Sequence, residues 1–156
     1  MVNPVIIPTF LNASNAITLG CWGQNPPGEP QLVPLTYKVC REAIMSVPMG
    51  GQSLKPITFG RSAEAGFQVP AHWEFDNCAV EIDVVEDGDE ERATFAAILK
   101  RAFDLAVECV IRPPHFGGRS FIGQDEKLVV SILESESGPS SQQRRSSSKG
   151  TSFHRS

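Results

Sequence analysis

The sequence has no closely spaced cysteines, no excess of positive charge and no long apolar run, and each absence removes a class of protein. Its four cysteines (Cys21, Cys40, Cys78 and Cys109) form no Cys-x-x-Cys. None of the three histidines (His72, His115 and His154) sits at ligand spacing to a cysteine. No metal site is therefore expected. The formal net charge is -4 and the pI is near 5.4. That balance argues against a nucleic-acid partner, which calls for a basic face. The apolar run Val5, Ile6, Ile7, Phe10 and Leu11 is too short to span a bilayer, and no later segment qualifies, so no membrane span is expected. There is no Gly-x-Ser-x-Gly nucleophile elbow. Gly117-Gly118 is no phosphate loop, because a Lys-Ser/Thr pair and a following helix are missing. No catalytic residue and no cofactor is assigned.

What remains is enough for one domain. A chain of 156 residues with 40% hydrophobic and 21% charged content can build a single core. Gly 13 and Pro 12 point to long connections.

The organising stretch is Trp73 to Val110. Cys78, Val80, Ile82 and Val84 alternate with Ala79, Glu81, Asp83 and Val85, the period of a strand with one face in a core. Phe95, Ile98, Leu99, Ala102, Ala106, Cys109 and Val110 recur at helical spacing. A helix over Glu90 to Ile111 follows, ended by Arg112-Pro113-Pro114. Between strand and helix lies Glu86-Asp87-Gly88-Asp89-Glu90-Glu91. A calcium loop would need ligands where Val84 and Val85 stand. Nothing nearby would separate the pKa values of a catalytic carboxylate pair. The run reads as a solvated turn whose acids favour the positive end of the following helix.

Earlier in the chain, residues 1–20 read as a signal-like or disordered amino terminus. Ser14 and Ala16 are small residues placed as at a cleavage site, but no Lys or Arg precedes the apolar run, and Pro4 and Pro8 interrupt it. Asn12-Ala13-Ser14 is a glycosylation sequon. Cys21-Trp22-Gly23 and Asn25-Pro26-Pro27-Gly28 form an irregular arm, with Trp22 as a plug over the core edge. Thr36 caps a first helix with Val39, Cys40, Ala43, Ile44 and Val47 on one face, stopped by Pro48. Ile57-Thr58-Phe59-Gly60 is a short strand, and Arg61 to Gln68 a loop or hairpin. Pro70 keeps its segment extended but away from the middle of a sheet, and Trp73 and Phe75 are packing residues. His115 to Arg119 is a turn into a strand at Phe121. Leu128, Val130 and Ile132 mark the last strand. Residues 134–156, rich in Ser and Arg and locally basic through Arg144, Arg145, Lys149 and Arg155, read as a disordered tail.

The expected class is α+β: two helices packed on one face of a small antiparallel or mixed sheet, within one domain over residues 21–133. Dispersed, even-numbered cysteines in a small chain read as two disulfides, and hence as an oxidising compartment. Antiparallel helices would bring Cys40, near the start of the first, to Cys109, near the end of the second, within the roughly 6 Å that a disulfide needs. Cys21–Cys78 follows by elimination among three connectivities.

Tyr37 to Ile44 around Cys40, Ile57-Thr58-Phe59, Val69-Pro70-Ala71-His72-Trp73, Cys78 to Ile82, Ala106 to Val110 around Cys109, and Gly117-Gly118 together resemble a group of small, mostly secreted fungal proteins. The order of elements also resembles the α/β sandwich of fungal killer toxins and some effector proteins. The resemblance implies secretion and carries no catalytic residue. The function expected is binding, effector-like or toxin-like, to a protein or cell-surface target. Two alternatives stand beside it. One is a small enzyme built on His72, His115, Glu74 and Asp76. The other is a cytosolic interaction module tethered by its basic tail.

Overall fold

A computed structural model describes residues 19–48 and 51–136. The signal-like run, the sequon and the basic tail from residue 137 lie outside the described residues. The elements are β1 (Leu19–Cys21), α1 (Tyr37–Met45), β2 (Ile57–Gly60), β3 (Phe67–Gln68), β4 (Ala71–Phe75), β5 (Cys78–Val84) and β6 (Glu90–Ala93). They continue with α2 (Phe95–Ala106), a π-helical turn (Val107–Ile111), β7 (Gly118–Ile122) and β8 (Leu128–Glu134).

Five strands form one sheet in the order β1-β7-β8-β5-β4, every neighbour antiparallel. Helix α1 lies over β4 and β5, and α2 over β7 and β8. The alternation in β5 works as expected: Cys78, Val80, Ile82 and Val84 are buried against the helices, and Glu81 and Asp83 face the other way, half-buried. On β8, Leu128, Val130 and Ile132 do the same. Ile44, Ile98 and Leu105 meet them from the helices, fully buried. Each such side chain contributes about 1.5–3 kcal/mol by leaving water.

A second sheet, β3-β2-β6, was not expected. Glu90–Ala93 is a strand paired antiparallel with β2, not the first turn of a helix. The helix begins only after Thr94, whose hydroxyl oxygen accepts the N–H of Ala97 at 3.1 Å, and its first turn carries no acid. Residues 86–89 of the acidic run form a turn, as expected, but Glu90 and Glu91 belong to β6, and the run's charges do not serve the helix dipole. The reason lies in Glu91, which is only 5% exposed. Its carboxylate accepts the backbone N–H groups of Asp125 and Lys127, both at 3.2 Å, and so ties the β7–β8 turn. A helix starting at Glu90 would break that arrangement and leave β2 without its antiparallel partner. Phe59 of β2 fixes the small sheet to α2, with its ring 5.4 Å from Phe95 and 5.5 Å from Phe67. Phe67 in turn stacks on Trp73 at 6.3 Å. Phe75, expected to pack, is 47% exposed at the end of β4.

All four cysteines are paired, but not as the helix argument required. Cys40 is bonded to Cys78, and Cys21 to Cys109, each with Cα atoms 5.2 Å apart. Cys40 lies on the face of α1 that packs against the sheet, so its nearest sulfur is on β5 beneath it. The turn carrying Cys109 ends beside β7, and β1 pairs with β7, which brings Cys21 there. Gly118 lies directly beneath this bridge: a Cβ there would collide with the carbonyl of Gly20 and press on the sulfur of Cys109. The arm therefore joins the sheet earlier than expected, as strand Leu19–Cys21. At the other end order continues past Leu133, where the Ser135 N–H donates to the Asn77 carbonyl at 2.9 Å.

Candidate functional site

The helices cover one face of the five-stranded sheet. Across the other face, register aligns Arg119, Ser131, Glu81 and His72 in one row. At the β7–β8 corner of this face the chain between β1 and α1 closes a pocket of about 400 Å³. Its apolar wall is Trp22, Leu32, Phe116 and Leu133, and its polar wall includes Asn25, Glu134 and Glu136.

Local chemistry explains how a segment rich in proline holds a pocket open. Pro26, Pro27 and Pro30 have no N–H to donate. Side-chain amides replace the missing backbone bonds. The Gln24 side-chain oxygen accepts the Leu32 N–H at 2.7 Å, and its amide donates to the Leu32 carbonyl at 3.2 Å. The Gln31 amide reaches the carbonyls of Asn25, Pro26 and Glu29 at 3.0–3.3 Å. Trp22 fixes the base of this loop. Its backbone N–H donates to Gly117 at 2.8 Å and its indole N–H to Ile132 at 3.0 Å. With the indole donor committed inward, the ring is held in place as a pocket wall; it is more than a plug over the core edge. Arg119 lies 5.6 Å from the Trp22 ring and 5.9 Å from Phe121, a cation between two aromatic rings.

The residues singled out for an enzyme are not gathered in this pocket. His72 and Glu74 share the outer face of the edge strand β4, Nε2 to Oε1 3.8 Å, with the imidazole side chain 63% exposed. Asp76 occupies the two-residue turn between β4 and β5 with φ 51°, a conformation that suits a short polar side chain. His115 lies beyond the far end of α2, and its Nδ1 donates to the Val110 carbonyl at 2.7 Å. The two histidines thus belong to opposite sides of the sheet.

The acidic turn has a structural partner. Arg61, after β2, makes two parallel bonds to Asp83, at 3.0 and 2.9 Å, and also pairs with Asp87. These bonds, Asp83 first, raise the guanidinium pKa above its already high ordinary value. Among the described residues no group of three or more His, Cys, Asp or Glu side chains is placed to hold a metal ion. No helix there is long and apolar enough to cross a membrane.

Compared with protein families, curated proteins and solved structures, the chain matches none. What the fold and the cysteines define is a small α+β protein stabilised by two disulfides.

Proposed function

We propose that this is a secreted protein that acts by binding, and that the Trp22–Phe116 pocket is where it binds. The observation that carries the reading is the construction of that pocket. A disulfide, a strand pairing and a network of side-chain amides all hold one mostly apolar cavity open. Pockets of a few hundred Å³ with aromatic walls and few polar groups are the usual form of small-ligand sites. Two disulfides support an oxidising, extracellular setting. The resemblance to small secreted fungal proteins supports an effector-like or toxin-like role at a host or competitor surface.

Two measurements test this. Expressed in a fungal host with its own amino terminus, the protein should appear in the medium with no titratable thiol; retention in the cytosol with four thiols would end the secretion half. A screen of small apolar compounds against tryptophan fluorescence should give hits that Trp22→Ala abolishes; a screen without hits would end the pocket half.

A further inference from the structure

We infer that the free edge of β4 pairs antiparallel with β4 of a second copy of this chain, joining two five-stranded sheets into one. The bonding pattern of the sheet leaves this edge open. The Ser135 N–H donates to the Asn77 carbonyl and the Val85 N–H to the Lys127 carbonyl, each at 2.9 Å. In the β5–β8 register these pairs lie just beyond the two ends of the ladder. Backbone direction alternates along a strand, so Ala79, Glu81 and Asp83 turn their N–H and C=O groups to β8, and Cys78, Val80 and Ile82 turn theirs to β4. Their partners there are Phe75, Trp73 and Ala71. His72 and Glu74 therefore direct their N–H and C=O groups away from the sheet. Among the described residues no strand pairs on that side, and no loop or turn backbone bonds to them. This edge is also the longest: five residues, against three in β1, two in β3 and four in β6. Edge strands are ordinarily guarded by Lys, Pro or a bulge. Ala71–Phe75 contains no Lys and no Pro, and its register with β5 is unbroken.

The strand is complementary to itself, which is why a second copy fits it. A two-fold axis at Trp73 sets His72 opposite Glu74 of the second copy, and Ala71 opposite its Phe75. Because His72 and Glu74 hold the outward groups, these positions form hydrogen-bonded pairs, and each pair exchanges both of its backbone bonds. On the outer face an imidazole meets a carboxylate across the seam, as it does within the strand at 3.8 Å. Such opposite pairs favour strand association. The row Arg119, Ser131, Glu81, His72 is then continued by a carboxylate. On the helix side Phe75, 47% exposed in a single copy, lies beside the small side chain of Ala71. An axis at His72 or at Glu74 would instead set like side chains against each other.

The test is sedimentation velocity of the full chain up to millimolar concentration, since an interface of one strand pair falls in the weak class, below about 1,200 Å². A shift from monomer to dimer should appear. Amide exchange at His72 and Glu74 should slow with it, while Ala71, Trp73 and Phe75, already bonded to β5, keep their rates. Glu74→Pro removes an outward donor, leaves the ladder to β5 whole and should leave only monomer. Should that variant fail to fold, Glu74→Lys serves instead. It sets a cation opposite His72 and should weaken association about tenfold. Adding His72→Glu exchanges the two charges and should restore the dimer. A chain that stays monomeric throughout would overturn the inference. So would a dimer untouched by these variants, or one in which the His72 and Glu74 amides exchange as in the monomer. A dimer that forms only after removal of residues 137–156 would overturn it in favour of the chain's own tail as occupant of the edge.

Discussion

Cys21 and Cys109 are bonded, yet Cys21 is exposed on an edge strand and Cys109 is completely buried. Cys40 and Cys78 are both buried. Thiol–disulfide exchange requires access to a sulfur. Graded reduction followed by alkylation and mass spectrometry should therefore label Cys21 and Cys109 first. Because Cys21 adjoins Trp22, ligand binding should fall at that stage, before unfolding. Simultaneous labelling of all four cysteines would show that only global unfolding opens either bridge. The two bridges span 88 and 38 residues, and losing either should cost roughly 2–4 kcal/mol.

Glu91→Ala should destabilise the fold by about 2–3 kcal/mol, because two backbone N–H groups of the β7–β8 turn lose a charged acceptor. Urea unfolding measures it, and a change within error would mean that water replaces the carboxylate. Gly123→Ala should act on the same spot. Gly123 has φ 101°, and a Cβ there would collide with the Glu91 side chain.

Phe59→Ala should cost about 3–5 kcal/mol, the range for truncating a fully buried aromatic side chain. It removes two ring contacts at once and unpins the small sheet from α2. Hydrogen exchange should show β2 and β6 loosening more than β5 and β8. Uniform loosening would mean that the two sheets unfold as one unit.

Arg61→Lys keeps the charge but cannot reproduce the two parallel bonds to Asp83. The 86–89 turn should exchange its amides faster, with the five-stranded sheet unchanged. Since the Asp83 and Asp87 bonds raise the pKa of Arg61, its contribution is present below the already high unfolded value. It would be lost only as pH rose through the still higher folded one. Stability between pH 6 and pH 10 should therefore show no step that Arg61→Lys removes; one that did vanish would reassign the pair.

Much of the fold was legible because its signals are local. The period of two in Cys78–Val84 and in Leu128–Ile132, and Pro48 at the end of α1, each act within a few residues; Thr36 marks the start of α1 as expected, though its side chain makes no capping bond. The start of α2 was misread because acids near a helix start carry the same signal whether the helix uses them or not. Only the β7–β8 turn, more than thirty residues further on, shows that Glu91 is an acceptor for that turn's backbone. The pocket was less legible still. Trp22 stood out, but Phe116 and Leu133 reach it from far along the chain. The one local hint was the pair Gln24 and Gln31 placed among prolines.

The sequence by itself determined the α+β class, the faces that go inward and the presence of four cysteines able to pair. Those follow from periodicity and residue chemistry, which need no knowledge of neighbours. Which cysteine meets which, where the second sheet forms and that a cavity opens beside Trp22 were decided only by the tertiary structure. Sulfur pairing and cavity walls depend on how helices settle on a sheet, and that placement is set by contacts between residues distant in the chain.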